Sequence, residues 1–311
     1  MSVPDVKGLV SVIIITYNQK NFIRDAVLSA VEQDYPDLEV VVADDGSKDG
    51  TQDIIRELTN LYPDKVVAAL GEHNKGIAAN ANRGLKLARG EYIAWLGGDD
   101  LMLPGKISKQ VALMQSRPDA AGCVHDAEVF QSETGQVLGQ FSEWANGRLG
   151  LKEGGVELWF DQDYKMLPST MMFRATAAPS YGLDERLKYT NDWLFDVEVF
   201  RNGTVATLNE VLGKYRRHRK NVTGSNDLNA IAVEDNLIAV GIVEARYPDL
   251  ARLASKKRLI VLLGASRRSY SKNRWQSLLY LKAAIISCGF ISTALIVVPW
   301  GVRRLIGGLF R

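Results

Sequence analysis

Residues 91–106 read EYIAWLGGDDLMLPGK, an apolar run that ends in two glycines and two adjacent carboxylates, Asp99 and Asp100. Two like charges about 4 Å apart repel by roughly 4 kcal/mol at an effective dielectric near 20. A core strand that ends this way calls for a compensating cation. Paired carboxylates suit a hard divalent ion such as Mg2+ or Mn2+, which in turn binds a diphosphate and stabilises it as a leaving group. The plainer alternative is a solvated loop with the two side chains splayed apart; Gly97–Gly98 weighs against it, because glycine lets a backbone approach a ligand closely.

Other polar groups can be weighed in the same way. Tyr17, in TYN at 16–18, offers a flat face for a base, and Asp45, in ADDGS at 43–47, can accept an imide N–H or a ribose hydroxyl. A turn with a helix-capping aspartate is the alternative for that stretch. Asp192, in YTNDWLF, opens a predicted helix, where capping and proton transfer are both chemically open. His218, in YRRHRKN, is either one residue of a solvated basic strand or a metal- or phosphate-contacting imidazole. His73 and His125 have no comparable context and read as structural.

The elements that must position these groups alternate. Strands are predicted at 10–16, 38–44, 65–70, 92–96 and 121–130, with helices at 22–33, about 50–62, 77–88 and about 105–116. Asp49 and Gln52 have capping-box spacing before the second helix. Such alternation implies a mostly parallel sheet with helices on both faces. Between 131 and 190 the pattern weakens to a hairpin at SETGQ and a strand at STMMFR. A helix at 192–202 and two short strands at 204–208 and 211–215 follow, and beyond 226 the chain reads as helical. In open parallel sheets ligands bind beyond the carboxyl ends of the strands. Thr16–Tyr17, Asp45 and Asp99–Asp100 all fall at such ends.

Composition narrows the class. Of 311 residues, 46% are hydrophobic and 24% charged, which supports a full core. Cys123 and Cys288 lie far apart, which speaks against a disulfide scaffold or a zinc site and fits a reducing compartment. The N-terminus has no basic n-region and reads as a strand rather than a signal peptide, so the sequon at 221–223 is taken as accidental. Neither GxGxxG nor GxxxxGK[ST] occurs. The net charge of +2 conceals a division: residues 252–311 hold 12 Lys/Arg and no Asp/Glu, leaving 26 basic and 36 acidic residues before them. That tail implies an anionic partner. Its apolar interruptions, LIVLLG and AAIISCGFISTALIVVPW, suit an anionic membrane surface better than a nucleic acid. The uncharged stretch 283–300 is near the lower limit for a span, and the expectation is a helical extension that lies on the membrane with this stretch dipping into it.

Taken together, VSVIIITYNQKNFIRDAVLSAVEQDYPDLEVVVADDGSKDGT, HNKGIAANANRGLKLARGEYIAWLGGDDLMLPGK, GLDERLKYTNDWLF and YRRHRKN resemble the inverting family 2 glycosyltransferases of the GT-A fold, over about residues 9–222. The resemblance implies an α/β catalytic domain at 1–225, with a donor-binding half to about 130 and an acceptor half after it, and a helical extension at 226–311. It implies Thr16, Tyr17, Asp45 and Asp99 as nucleotide-sugar-binding residues, Asp100 and His218 as ligands of Mn2+ or Mg2+, and Asp192 as general base. A UDP-sugar is the first donor to expect, with a saccharide or lipid-linked acceptor in bacterial envelope polysaccharide assembly, at the cytoplasmic face of the membrane. Two departures stand out: Gly97 occupies the first position of what is often Asp-x-Asp-Asp, and Asn191 stands where relatives often have Glu. A non-catalytic nucleotide- or carbohydrate-binding module of the same fold and a nucleic-acid binder using the basic tail are the rival classes.

Overall fold

The computed structural model describes residues 6–146, 151–161, 164–218, 221, 228–270 and 273–288. The first strand, β1 (Val6–Thr16), lies between β2 (Leu38–Asp44) and β4 (Gly90–Gly97), parallel to both, and β3 (Val66–Leu70) adds a parallel edge beyond β2. A strand covered on both faces needs no alternation, and Val10, Val12, Ile13 and Ile14 are all fully buried. On one face Val10, Val12 and Ile14 pack with α1 (Ile23–Val31), α2 (Thr51–Leu61) and α4 (Lys106–Ser116) through Val27, Ile55, Leu58 and Val111. On the other, α3 (Ile77–Leu87) approaches so closely that a Cβ on Gly84 would stand 2.6 Å from Ile13 Cγ2.

Beyond β4 the sheet becomes mixed. The order is β3-β2-β1-β4-β8-β6-β9-β5, with β7 paired to β6; β8 (Met172–Arg174) runs antiparallel to β4, and β5 (Leu101–Met102) antiparallel to β9 (Thr204–Arg217). β6 (Ala120–Gln131) and β7 (Val137–Gln140) form the hairpin expected at SETGQ. Three local expectations change. The strand expected across STMMFR begins only at Met172, because Pro168–Thr170 closes a 3-10 turn. The two short strands after 204 are one strand paired parallel to β6, with Asn209 and Glu210 left exposed where the register slips opposite His125 and Asp126. The capping box does not form: Asp49 accepts the Thr51 N–H at 3.0 Å, while the Gln52 amide donates to Asp44 and to the Gly71 carbonyl.

The chain separates into two compact units, residues 1–159 with 163–224 and residues 160–162 with 225–311. The first also holds α5 (Phe141–Asn146) and α6 (Asn191–Phe200). In the second, α7 (Leu228–Arg246), α8 (Ala251–Ser269) and α9 (Arg274–Cys288) share a core of Leu237, Leu259, Leu262, Tyr280 and Ala284. No described helix is long and apolar enough to cross a membrane. Of the 283–300 stretch, residues 289–300 lie outside the described residues.

Candidate active site

The ends of β1 and β2 are built into one polar platform. Thr16 is buried, its hydroxyl donating to Gln19 Oε1 at 2.8 Å, and Tyr17 follows with its side chain 45% exposed. Asn18 adopts φ +51°, and its N–H donates to Ser47 Oγ at 2.7 Å while Lys48 N–H donates back to Asn18 Oδ1 at 3.0 Å. The loops after β1 and β2 are thereby tied to each other. Asp44 is fully buried and accepts from Ser47 N–H and the Gln52 amide. Asp45 accepts the N–H groups of Lys75 (2.9 Å) and Gly76 (2.8 Å) at the entry to α3. An ionised carboxylate has about four acceptor positions, so Asp45 shapes this loop and keeps capacity for a ligand donor.

The carbonyls at the strand ends take side-chain donors from α3 in addition to the backbone N–H groups of Asp45 on Thr16 and of Gly71 on Asp44. Asn80 Nδ2 donates to Thr16 O (3.3 Å) and Ala43 O (2.8 Å), and Arg83 Nη1 to Asp44 O (3.0 Å) and Asn80 Oδ1 (2.6 Å). Neither residue was singled out from sequence. Asn80 and Asn82 at buried positions of a helix that otherwise buries alanine and leucine were the legible sign.

The β4 end is pressed against this platform. Gly98 N–H donates to Ile15 O at 2.9 Å, and a Cβ on Gly98 would meet Gln19 Oε1 at 2.5 Å and Thr16 Cβ at 2.7 Å. Only glycine fits there. Asp99 Oδ2 lies 2.8 Å from His218 Nε2 and 3.3 Å from Asn221 Nδ2, and its carbonyl accepts from Arg216 Nε at 2.8 Å. Asp100 is buried, accepting the Ser169 hydroxyl at 2.5 Å and the Arg216 N–H at 3.0 Å. Burial, with Asp99 beside it, pushes the Asp100 carboxyl up to about 8, against the pull of both hydrogen bonds. Behind it the fully buried Lys106 donates to Ser169 O at 2.9 Å, and burial brings its ammonium down to about 7. The Arg216 guanidinium sits between the Phe22 and Phe130 rings, 4.9 and 4.8 Å from their centroids, and the His218 imidazole stacks on Phe22 at 4.8 Å.

These contacts bear on a divalent ion. No cage of three His, Cys, Asp or Glu side chains exists among the described residues. The donor chemistry is nevertheless of the type such an ion takes: the Asp99 carboxylate and the His218 imidazole meet at 2.8 Å, next in sequence to the buried Asp100. Magnesium-type ions are commonly held by one or two carboxylates plus substrate phosphates. His218 pairs with Asp99 rather than with Asp100; the Asp99 side chain is 15% exposed and that of His218 8%, while Asp100 is buried.

Asp192 is the second residue of α6 and exposed, and its Oδ1 accepts the Trp193 N–H at 2.7 Å. Phe195, on the same helix, packs against Trp95 of β4 (5.9 Å) and Phe173 of β8 (5.4 Å). One turn on, Asp196 is buried against Trp159 Nε1 (3.1 Å), and burial, then the nearby Asp192, raises its carboxyl well above the ordinary range. The fold thus gathers Thr16, Asp99, Asp100 and His218 at one sheet edge, sets Tyr17 and Asp45 in the adjoining loops, and fixes α6, with Asp192, against β4. Arg216, Ser169 and Lys106 escaped the sequence reading, although Arg216 lies within the quoted YRRHRKN.

A mixed sheet whose parallel half ends in a polar platform and an acidic pair is a GT-A-like arrangement. Residues 11–172, just over half of the chain, match "Glycosyl transferase family 2", and the chain belongs to that family of glycosyltransferases. An uncharacterized glycosyltransferase of Rickettsia prowazekii is 26% identical over 303 residues, 97% of this chain and 87% of that protein. Among solved structures, S. aureus TarS 1-349 in complex with UDP-GlcNAc superposes with a TM-score of 0.65 at 19% identity, covering 90% of this chain and 81% of that one. The mannosyltransferase PcManGT from Pyrobaculum calidifontis, in complex with GDP-Man and Mn2+, gives 0.59 at 17% identity over 96% and 81% of the two chains. At these identities the structural likeness is one of fold.

Proposed function

We propose that this glycosyltransferase moves a sugar from a nucleoside-diphosphate donor, a UDP-sugar first, to a hydroxyl of a saccharide or lipid-linked acceptor, with inversion at the anomeric carbon and with Mn2+ or Mg2+. The observation that carries this reading is the joining of Asp99–Asp100 to Arg216 and His218 beside the Thr16–Asp45 platform. Tyr17 stacks on the base and Asp45 takes a base or ribose donor. Asp99, Asp100 and His218 hold the cation. When bound, that ion neutralises the departing diphosphate. Arg216, fixed between two rings, adds positive charge at the same edge. Asp192 accepts the proton of the acceptor hydroxyl as its oxygen forms the new bond to the anomeric carbon. The bond to the diphosphate breaks on the opposite face, its electron pair leaving with the nucleoside diphosphate, and a single displacement inverts the centre. The enzyme works at the cytoplasmic face of the membrane in envelope polysaccharide assembly, drawn to anionic lipid by its basic tail.

The test is Asp192→Asn, which keeps the size and the hydrogen bond to Trp193 but removes the base. Transfer should fall by about 10² or more, the scale of general-base catalysis. Calorimetric titration with UDP and Mn2+ should give unchanged affinity. Near-normal turnover by this variant would return Asp192 to helix capping. Donor binding with no turnover by the wild type, across nucleotide sugars and acceptors, would favour a non-catalytic module.

A further inference from the structure

The helical unit carries an apolar face turned outward. In α9, Ser277 and Ala284 are buried and Ala284 joins the core shared with α8. On the opposite side Trp275 is 79% exposed, Leu278 55%, Leu279 59% and Ile286 73%. With Lys282 between them, these positions fall within an arc of about 100° at 3.6 residues per turn. A helix normally turns such a stripe to its core. Here the core is made by the other side of the helix, and among the described residues nothing covers the stripe.

The charge around the stripe points to its occupant. Arg274 and Lys282 lie on α9 itself, and Arg267 and Arg268 end α8. Arg274 stands 5.8 Å from the ring of Tyr270, which is itself well exposed. No acidic residue occurs from 250 to 311. An apolar stripe with aromatic and basic neighbours and no acid fits the boundary between headgroups and acyl chains of an anionic bilayer, in which a helix lies flat. A nucleic acid would use the charges but would leave Leu278, Leu279 and Ile286 without a partner. A second copy of the chain would bring the same basic groups face to face.

We infer that the exposed face of α9, formed by Trp275, Leu278, Leu279 and Ile286 with Lys282 among them, is the surface by which this protein docks on anionic lipid. The inference rests on the proposed membrane attachment and sharpens it: the described helix α9 supplies the apolar contact, lying in the plane of the interface.

The experiment uses the full chain and vesicles of equal parts phosphatidylglycerol and phosphatidylcholine at low salt. Wild type should sediment with them and not with phosphatidylcholine alone. Trp275→Ser combined with Leu279→Ser should weaken binding tenfold or more, whereas Ile238→Ser, on exposed α7, should leave it unchanged. Trp275 emission, taken as the difference from Trp275→Phe, should move to shorter wavelength on vesicle addition. Full-length protein that stays in the supernatant overturns membrane attachment altogether. Binding that is indifferent to the double substitution, or equally sensitive to Ile238→Ser, overturns the α9 face alone. Trp275 shielded from acrylamide without lipid would mean that another part of the chain, or a second copy by light scattering, covers the stripe. Binding to duplex DNA without binding to vesicles would give the tail to nucleic acid. An unchanged helical circular-dichroism signal and an unchanged thermal transition of the helical unit in the double variant check that α9 is folded.

Discussion

Asp100 is a carboxyl whose burial beside Asp99 disfavours its ionised form, and this bears on how the uncomplexed protein responds to pH. Its ordinary value of 3.8 is raised to about 8 by burial and by Asp99. A group whose folded value is raised stabilises the fold fully below its unfolded value, and that stability is lost as pH rises through the folded value. The loss therefore falls between about pH 4 and pH 8. Lys106 runs the other way: its value is lowered from 10.5 to about 7, so its contribution is present above the unfolded value and is lost as pH falls through 7. Thermal unfolding without metal should show the midpoint of wild type falling relative to Asp100→Asn as pH rises from 4 to 8. Saturating Mn2+ with UDP should flatten that difference, because a bound cation favours the ionised carboxylate. Parallel pH profiles for the two proteins would show that Asp100 ionises freely.

At the scale of elements, α3 closes the carboxyl ends of β1 and β2 by one amide. Asn80 is buried, with Nδ2 shared between the Thr16 and Ala43 carbonyls and Oδ1 accepting from Arg83. Removing one partner of a buried hydrogen bond costs about 1–3 kcal/mol. Asn80→Ala strips the Thr16 and Ala43 carbonyls of their amide donor and should lower stability by about 2 kcal/mol in urea unfolding. It should also weaken UDP binding, since Thr16 precedes Tyr17 at the platform. An unchanged urea midpoint would mean that water replaces the amide at full value.

At the scale of the whole molecule, two units with separate cores answer differently to a ligand. A ligand that binds only the folded state stabilises by about 2.7 kcal/mol at one hundred times its dissociation constant. The proposed donor and cation residues, 16 to 218, all belong to the unit of 1–159 and 163–224, while α7, α8 and α9 enclose their own core. In calorimetry, UDP with Mn2+ should raise the unfolding of the catalytic unit and leave any separate transition of the helical unit in place. A ligand shift confined to the helical transition would contradict the assignment of the site.

What could be read in the sequence was what burial imposes locally. A strand covered on both faces needs no alternation and reads as an apolar run, as 12–15 and 40–43 do; the acids just past the strands at 38–44 and 92–96, Asp45, Asp99 and Asp100, mark the sheet edge on which they lie. The sequence by itself also carried the hairpin at SETGQ and the charge division at 252. Tertiary structure alone decided who answers those acids. Arg216 and Ser169 meet Asp100 across 116 and 69 residues of chain, and no local spacing encodes such a meeting. The same holds for Gln52, which left a capping box for the buried Asp44 and Gly71 carbonyl, and for β9, whose two apparent strands are joined by pairing with β6. In α9 the residue types were plain, yet only packing against α8 determined which side became core and which stripe faces outward, because apolar residues occur on both sides of the helix and a partner selects one.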